Sequence, residues 1–169
     1  MTPMTRWRFF MTLVLALAAD LWTKAWAERT LGTLGSLEVI PGCLRFQNSL
    51  NKGSAFSLFE GQQALFVGIG IITVAVIAYY LMRAEGRGVG AQVVLGLLGA
   101  GVLGNLHDRL FHPAQAVRDF IDMYIGTHHW PTYNLADVYI VLGAAAIFVA
   151  SFRKPAQRAR GPEPERGDA

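Results

Sequence analysis

Four segments of this chain are apolar over close to the length that a helix needs to cross a bilayer. About 20 mostly apolar residues carry a helix through ~30 Å of hydrocarbon, and the segments lie at about 9–26, 64–82, 90–111 and 135–152. Of the 169 residues, 16% are charged and 53% hydrophobic, whereas an average soluble chain is roughly 25% charged. An ordinary soluble enzyme, a coiled coil and a disordered chain are therefore excluded. The formal charge of +3, from 15 basic and 12 acidic residues, is mild. No basic stripe interleaved with aromatics accompanies it, so nucleic acid is not an expected partner. The one cysteine, Cys43, excludes an intrachain disulfide and a paired-cysteine metal or redox motif. No internal or inverted repeat is visible.

The first segment has a rival reading as a cleaved signal. Arg6 and Arg8 precede it, and Ala25-Trp26-Ala27 loosely matches a cleavage site. Its length, and Asp20 and Lys24 near its end, favour a retained helix. Basic residues then set the orientation. Arg6 and Arg8, Arg83 and Arg87, and Arg153, Lys154, Arg158 and Arg160 fall on one side, which places both termini in the cytoplasm. The outer loops span about 27–63 and 112–134, and Trp22, Trp26 and Trp130 fit an outer aromatic belt. Residues 1–152 read as one membrane-embedded domain. The tail 153–169, rich in Pro, Arg, Glu and Gly, reads as disordered. Leu37, Val39, Ile40, Leu44 and Phe46 flank a turn-like Pro41-Gly42, which predicts two short strands resting on the outer surface. Residues 54–59 read as a short interfacial helix. The fold class is thus mainly α: a polytopic membrane protein with four transmembrane helices, a small outer-face β element and that helix.

Ionisable groups near membrane depth are costly and usually functional. Asp20 and Lys24 share a helix face, as do Asn105 with Asp108 and with Arg109, and Asn134 with Asp137. With Asp119 in the second outer loop, all lie near the outer interface. Plainer readings exist for each. Asp20–Lys24 reads as an ion pair, Asp108–Arg109 as helix-end pairing, and Asn51 and Asn134 as caps. Asp122 and Arg118 read as solvated loop charges, and Cys43 as inert. The four histidines, 107, 112, 128 and 129, match no metal-ligand spacing. Gly96, Gly99, Gly101 and Gly104 read as close helix packing.

Asp119 and Asp137 are different, because each sits where an apolar frame meets water, without a basic residue at helical spacing. Two carboxylates brought together share a proton near neutrality. Such a dyad takes a proton from water and gives one to a leaving amine. No GxSxG elbow, HExxH or Cys–His pair offers another route to hydrolysis. From residues alone, intramembrane acid–base hydrolysis leads. A proton- or ion-coupled transporter and a non-catalytic binding or assembly protein stay open.

Five segments occur in a known order: Asp20-Leu-Trp-Thr-Lys24, Asn51-Lys-Gly-Ser-Ala-Phe56, Gly104-Asn-Leu-His-Asp-Arg109, Val117-Arg-Asp-Phe-Ile121 and Trp130-Pro-Thr-Tyr-Asn-Leu-Ala-Asp137. Together, over about residues 6 to 152, they resemble the bacterial lipoprotein signal peptidase (signal peptidase II) family. The resemblance implies an aspartic endopeptidase of the bacterial inner membrane that cuts diacylglyceryl-modified prolipoproteins before the lipidated cysteine. It implies four spans and a β cradle with a short helix over the site. It implies Asp119 and Asp137 as catalytic residues. Asp20, Lys24, Asn51, Gly53, Asn105, Asp108, Arg109 and Asn134 are implied as supporting or substrate-binding residues. Prolipoproteins and membrane lipid are the expected partners of a monomer without cofactor or metal. Leu50, Ala100-Gly101-Val102 and Tyr133 depart from the residues common in the family.

Overall fold

The computed structural model describes residues 6–53, 61–83 and 88–152. The expected interfacial helix at 54–59 and the tail from 153 lie outside the described residues. The described residues form four helices: α1 (Trp7–Leu34), α2 (Gln63–Met82), α3 (Val89–Phe111) and α4 (Leu135–Ser151). The same residues form four strands: β1 (Ser36–Ile40), β2 (Leu44–Asn51), β3 (Val117–Ile125) and β4 (His128–His129). They form one antiparallel sheet in the order β1-β2-β3-β4. Every strand lies between α1 and α2 or between α3 and α4 in sequence, so the sheet sits at one end of the bundle.

The first three helices are long and apolar enough to cross a membrane. The fourth is apolar but has 17 residues, a rise of ~26 Å against ~30 Å of hydrocarbon. Bulky residues such as Leu15, Ile72 and Phe148 point outward and are exposed. An apolar girdle of this kind suits lipid, not water.

Helix α1 runs eight residues beyond the expected end of the first span. Nothing breaks it before Gly35, which takes φ 78° and donates its N–H to Leu31 O at 2.8 Å, a helix stop that favours glycine. Hydropathy missed this overhang because it is amphipathic. Its buried residues Asp20, Lys24, Ala27 and Leu31 continue one stripe at helical spacing. Ala27 and Leu31 pack on Phe120 of the sheet, and Phe46 bridges Trp26 and Phe120 edge-on, with ring centroids 5.8 Å from each.

The β1–β2 hairpin forms about Pro41-Gly42 as expected. The second outer loop does not stay a loop, because residues 117–125 form the central strand β3. Its first residues alternate, with Arg118 and Phe120 reaching α1 or its neighbours and Val117 and Asp119 lining a cavity. That period of two is what a strand with two occupied faces requires.

Helix α3 is the hub, packing against α1, α2 and α4. Its glycines allow this. A Cβ at Gly96 would meet the Phe9 carbonyl and Thr12 Cβ at 2.9 Å, and one at Gly99 would meet Leu13 Cδ1 at 2.7 Å. At Gly101 and Gly104 it would collide with the Ala136 carbonyl and the Asp20 carboxylate. The close-packing reading of these glycines therefore holds.

Gly104→Ala should destabilise the protein by about 1–3 kcal/mol, since it must displace backbone or a buried carboxylate. Gly68→Ala, whose added carbon meets nothing within 4 Å, should stay within about 0.5 kcal/mol of wild type. Thermal unfolding in detergent checks both, and equal midpoints would refute the packing account.

Candidate active site

The site is built where α1, α3, β3 and the start of α4 converge. Lys24 and Asp20 lie one turn apart on α1 and are fully buried. Lys24 Nζ lies 2.8 Å from Asp20 Oδ2, donates to Asn105 Oδ1 at 2.9 Å and stands 3.6 Å from Asp108 Oδ2. Asp20 Oδ1 accepts the backbone N–H of Ala136 at 2.9 Å. An α1 carboxylate thus satisfies one of the orphan N–H groups that open α4.

Helix α4 starts with a capping box. Asn134 Oδ1 accepts Asp137 N at 3.2 Å, and Asp137 Oδ2 accepts Asn134 N at 3.1 Å. Both residues also reach outward. Asn134 Nδ2 donates to Asp119 Oδ1 at 2.6 Å and to Asn105 Oδ1 at 3.2 Å. Asn105 Nδ2 donates to Asp137 Oδ1 at 2.8 Å. Asn134 therefore touches both aspartates, and Asn105 ties Asp137 to Lys24.

On the sheet, Asp119 pairs across β2–β3 with Ser49, two residues from Asn51 on the same face. Asn51 Nδ2 donates to Asp119 Oδ2 at 2.9 Å, while Asn51 Oδ1 accepts the N–H of Gly53 at 2.9 Å. Asn51 is thus a turn-former and an aspartate partner at once. Arg109 donates to Gly53 O at 3.2 Å and to Asn105 O at 3.4 Å, and lies over the Phe66 ring at 5.0 Å. All ten residues singled out in the sequence fall in this one region.

Burial, followed by the charge of Asp137, pushes the Asp119 carboxyl up to about 7 from 3.8. Its side chain is 2% exposed, so the charged form loses most of its hydration. Asp119 therefore holds its proton up to near neutrality.

Three sequence readings need correction. Asp108 does not pair with Arg109, because neighbours in a helix point about 100° apart. Its partner is Arg118, whose guanidinium donates to both carboxylate oxygens, at 3.2 and 2.6 Å, while the Arg118 N–H adds a bond at 3.0 Å. Arg118 is no solvated loop charge: it points away from Asp119 and continues to Glu28 Oε2 at 3.1 Å. Asp122 is no solvated charge either. It is 1% exposed, 2.7 Å from Arg45 Nε and 2.9 Å from His129 Nδ1. The sequence reading gave no part to Glu28, to His112, whose Nε2 lies 2.8 Å from Glu28 Oε1, or to Arg45 beside Asp122 and His129. The alternation of residues 117–125 was the available signal, since a strand there turns Arg118 away from Asp119.

A cavity of about 1270 Å³ opens beside the two aspartates. Its deeper wall is apolar, from Ile69 and Thr73 of α2, Leu106 of α3 and Val138 and Val141 of α4. Its other wall is the end of the sheet, including Tyr124, His129 and Trp130. Among the described residues, no group of three His, Cys, Asp or Glu comes together to hold a metal.

Comparison with known proteins adds a consistent finding. Residues 12–153 match the family model described as Signal peptidase (SPase) II. The lipoprotein signal peptidase of Oleidesulfovibrio alaskensis is 36% identical over 155 residues, 86% of this chain and 97% of that protein. That of Nitratidesulfovibrio vulgaris is 37% identical over 166 residues, 92% and 94% of the two chains. A solved bacterial membrane enzyme superposes with a TM-score of 0.78 at 29% identity, covering 92% of this chain and 94% of its own. A second gives 0.76 at 30% identity, covering 87% and 94%.

The Asp119 proton is held more tightly in the folded protein than at the unfolded value of 3.8. Between those limits the folded state binds more protons, so this group's contribution to stability falls as pH rises through about 4 to 7 and levels above that. The unfolding midpoint of wild type minus that of Asp119→Asn should therefore decrease over this window. A pH-independent difference would show that Asp119 is not perturbed.

Proposed function

The chain belongs to the signal peptidase II family, a bacterial multi-pass membrane protease, and from that premise we propose that it removes signal peptides from diacylglyceryl-modified prolipoproteins by an aspartate dyad. The observation that carries this reading is Asn134. One asparagine holds both Asp119 and Asp137 at the mouth of a cavity whose deeper wall is apolar. A transporter is disfavoured, since the carboxylates cluster at one end of the bundle and, among the described residues, no relay of charges runs through it.

In this reading, Asp119 and Asp137 share one proton, so that one is charged and the other protonated. The charged carboxylate takes a proton from water as the oxygen attacks the scissile carbonyl. The protonated one donates a hydrogen bond to the carbonyl oxygen as charge develops there. The C–N bond before the lipidated cysteine then breaks, and the proton taken from water passes to the leaving amine. The step needs no metal and no covalent intermediate. Asn51 and Asn134 fix Asp119, Asn105 fixes Asp137, and Lys24 fixes Asn105. Arg109 and Gly53 form the rim that meets the head of the diacylglyceryl group.

Lipid recognition rests on that rim and on shape. Acyl chains moving from bilayer to protein leave one apolar environment for another and gain little from transfer. The enzyme is read as a monomer of the inner membrane, its core domain ending near residue 152, with both termini cytoplasmic and the sheet on the outer face.

Purified enzyme should cleave a diacylglyceryl-modified prolipoprotein and spare the unlipidated precursor. Asp119→Asn and Asp137→Asn should each lower kcat by at least about 10³-fold while remaining folded. Wild-type kcat/KM should fall above about pH 7 as the dyad loses its shared proton. Activity in either folded variant, or a rate flat from about pH 5 to about pH 9, would overturn the dyad.

A further inference from the structure

The Arg45–Asp122–His129 group lies outside the dyad network and has no part in the chemistry above. Asp122 on β3 accepts Arg45 Nε of β2 at 2.7 Å, and His129 Nδ1 of β4 lies 2.9 and 3.0 Å from its two oxygens. The His129 ring stacks on Tyr124 at 5.1 Å and 16°. The Arg45 guanidinium lies over the same Tyr124 ring at 5.3 Å, and the Tyr124 hydroxyl donates to Glu38 of β1 at 2.5 Å. One buried carboxylate thus helps lock side chains from all four strands.

Closing the hairpin does not require this. Backbone pairing of Tyr124 with His129 and of Ile125 with His128, around Gly126 at φ 61°, already does so. A two-residue strand with exposed side chains buries too little to fix their orientation. What Asp122 adds is a rigid aromatic face, and that face lines the cavity beside the dyad.

We propose that the β3–β4 hairpin is the binding subsite for the first residues of the mature lipoprotein, those that follow the lipidated cysteine. The inference rests on the prolipoprotein reading above. Three branches of the substrate leave the scissile bond. The signal peptide and the acyl chains are apolar and take the wall formed by α2, α3 and α4. The mature chain heads for water, and the wall left for it is the hairpin. Arg45 and Asp122 neutralise each other there, so the face selects peptide planes and uncharged side chains over a charge. Rigid ring faces provide contact area at little cost in side-chain entropy.

The test uses two synthetic lipopeptides with the same signal segment and the same diacylglyceryl-cysteine. One ends at the cysteine amide. The other continues for about six residues, enough at ~3.3 Å each to pass the hairpin. Wild type should cleave the longer one with about tenfold higher kcat/KM, the scale of one or two ring contacts. Trp130→Ala alters a side chain that is 64% exposed. His129→Asn keeps a donor for Asp122 and removes the ring. Each should bring the ratio between the two substrates close to one. A ratio that persists in both variants overturns the subsite, as does a wild type that cuts both peptides equally. A wild type that cuts neither overturns the prolipoprotein reading itself.

Discussion

The structure depends on a fully buried ammonium. Lys24 has no water to solvate it and is held by Asp20, Asn105 and Asp108. Removing one partner of such a buried pair costs about 3–5 kcal/mol, so the set is all-or-none. Through it α1 grips α3, and through Asp20 it grips the first turn of α4. The glycine stripe of α3 belongs to the same arrangement, because only a residue without a Cβ at 104 leaves room for the Asp20 carboxylate.

In the mechanism proposed above, folding and chemistry use the same groups. Asn134 and Asp137 cap α4, and they are also the residues that meet Asp119 and Asn105. Asn51 makes a turn to Gly53 and holds Asp119. Sharing groups in this way preorganises the site. The side chains nearest the aspartates already have fixed rotamers for backbone reasons, so little reorganisation is left for the reaction.

The charges are also kept in separate compartments. Arg118 could have neutralised its neighbour Asp119. Strand alternation turns it the other way, onto Asp108 and Glu28, and leaves Asp119 buried between asparagines. Amides hold a carboxyl without cancelling its charge. Asp119 therefore feels burial and Asp137 first, and both push its carboxyl up.

Much of this was legible in the residues. Hydropathy located four helices, the turn at Pro41-Gly42 located the first hairpin, and polar residues at helical spacing marked the groups that cluster in the candidate site. These signals are local and periodic, so a sequence carries them openly. The overhang of α1 was not legible by hydropathy, because it buries its stripe against a sheet that exists only in three dimensions. The pairing of Asp108 with Arg118 was also hidden, since sequence adjacency favours Arg109 and only the placement of β3 beside α3 decides otherwise. Asp122 looked solvated for the same reason: its partners lie 77 residues before it and 7 after it. The sequence by itself determined which groups sit at one end of the bundle. Tertiary structure alone decided which of them touch, because a charge chooses its partner by distance and desolvation, and neither is written along the chain.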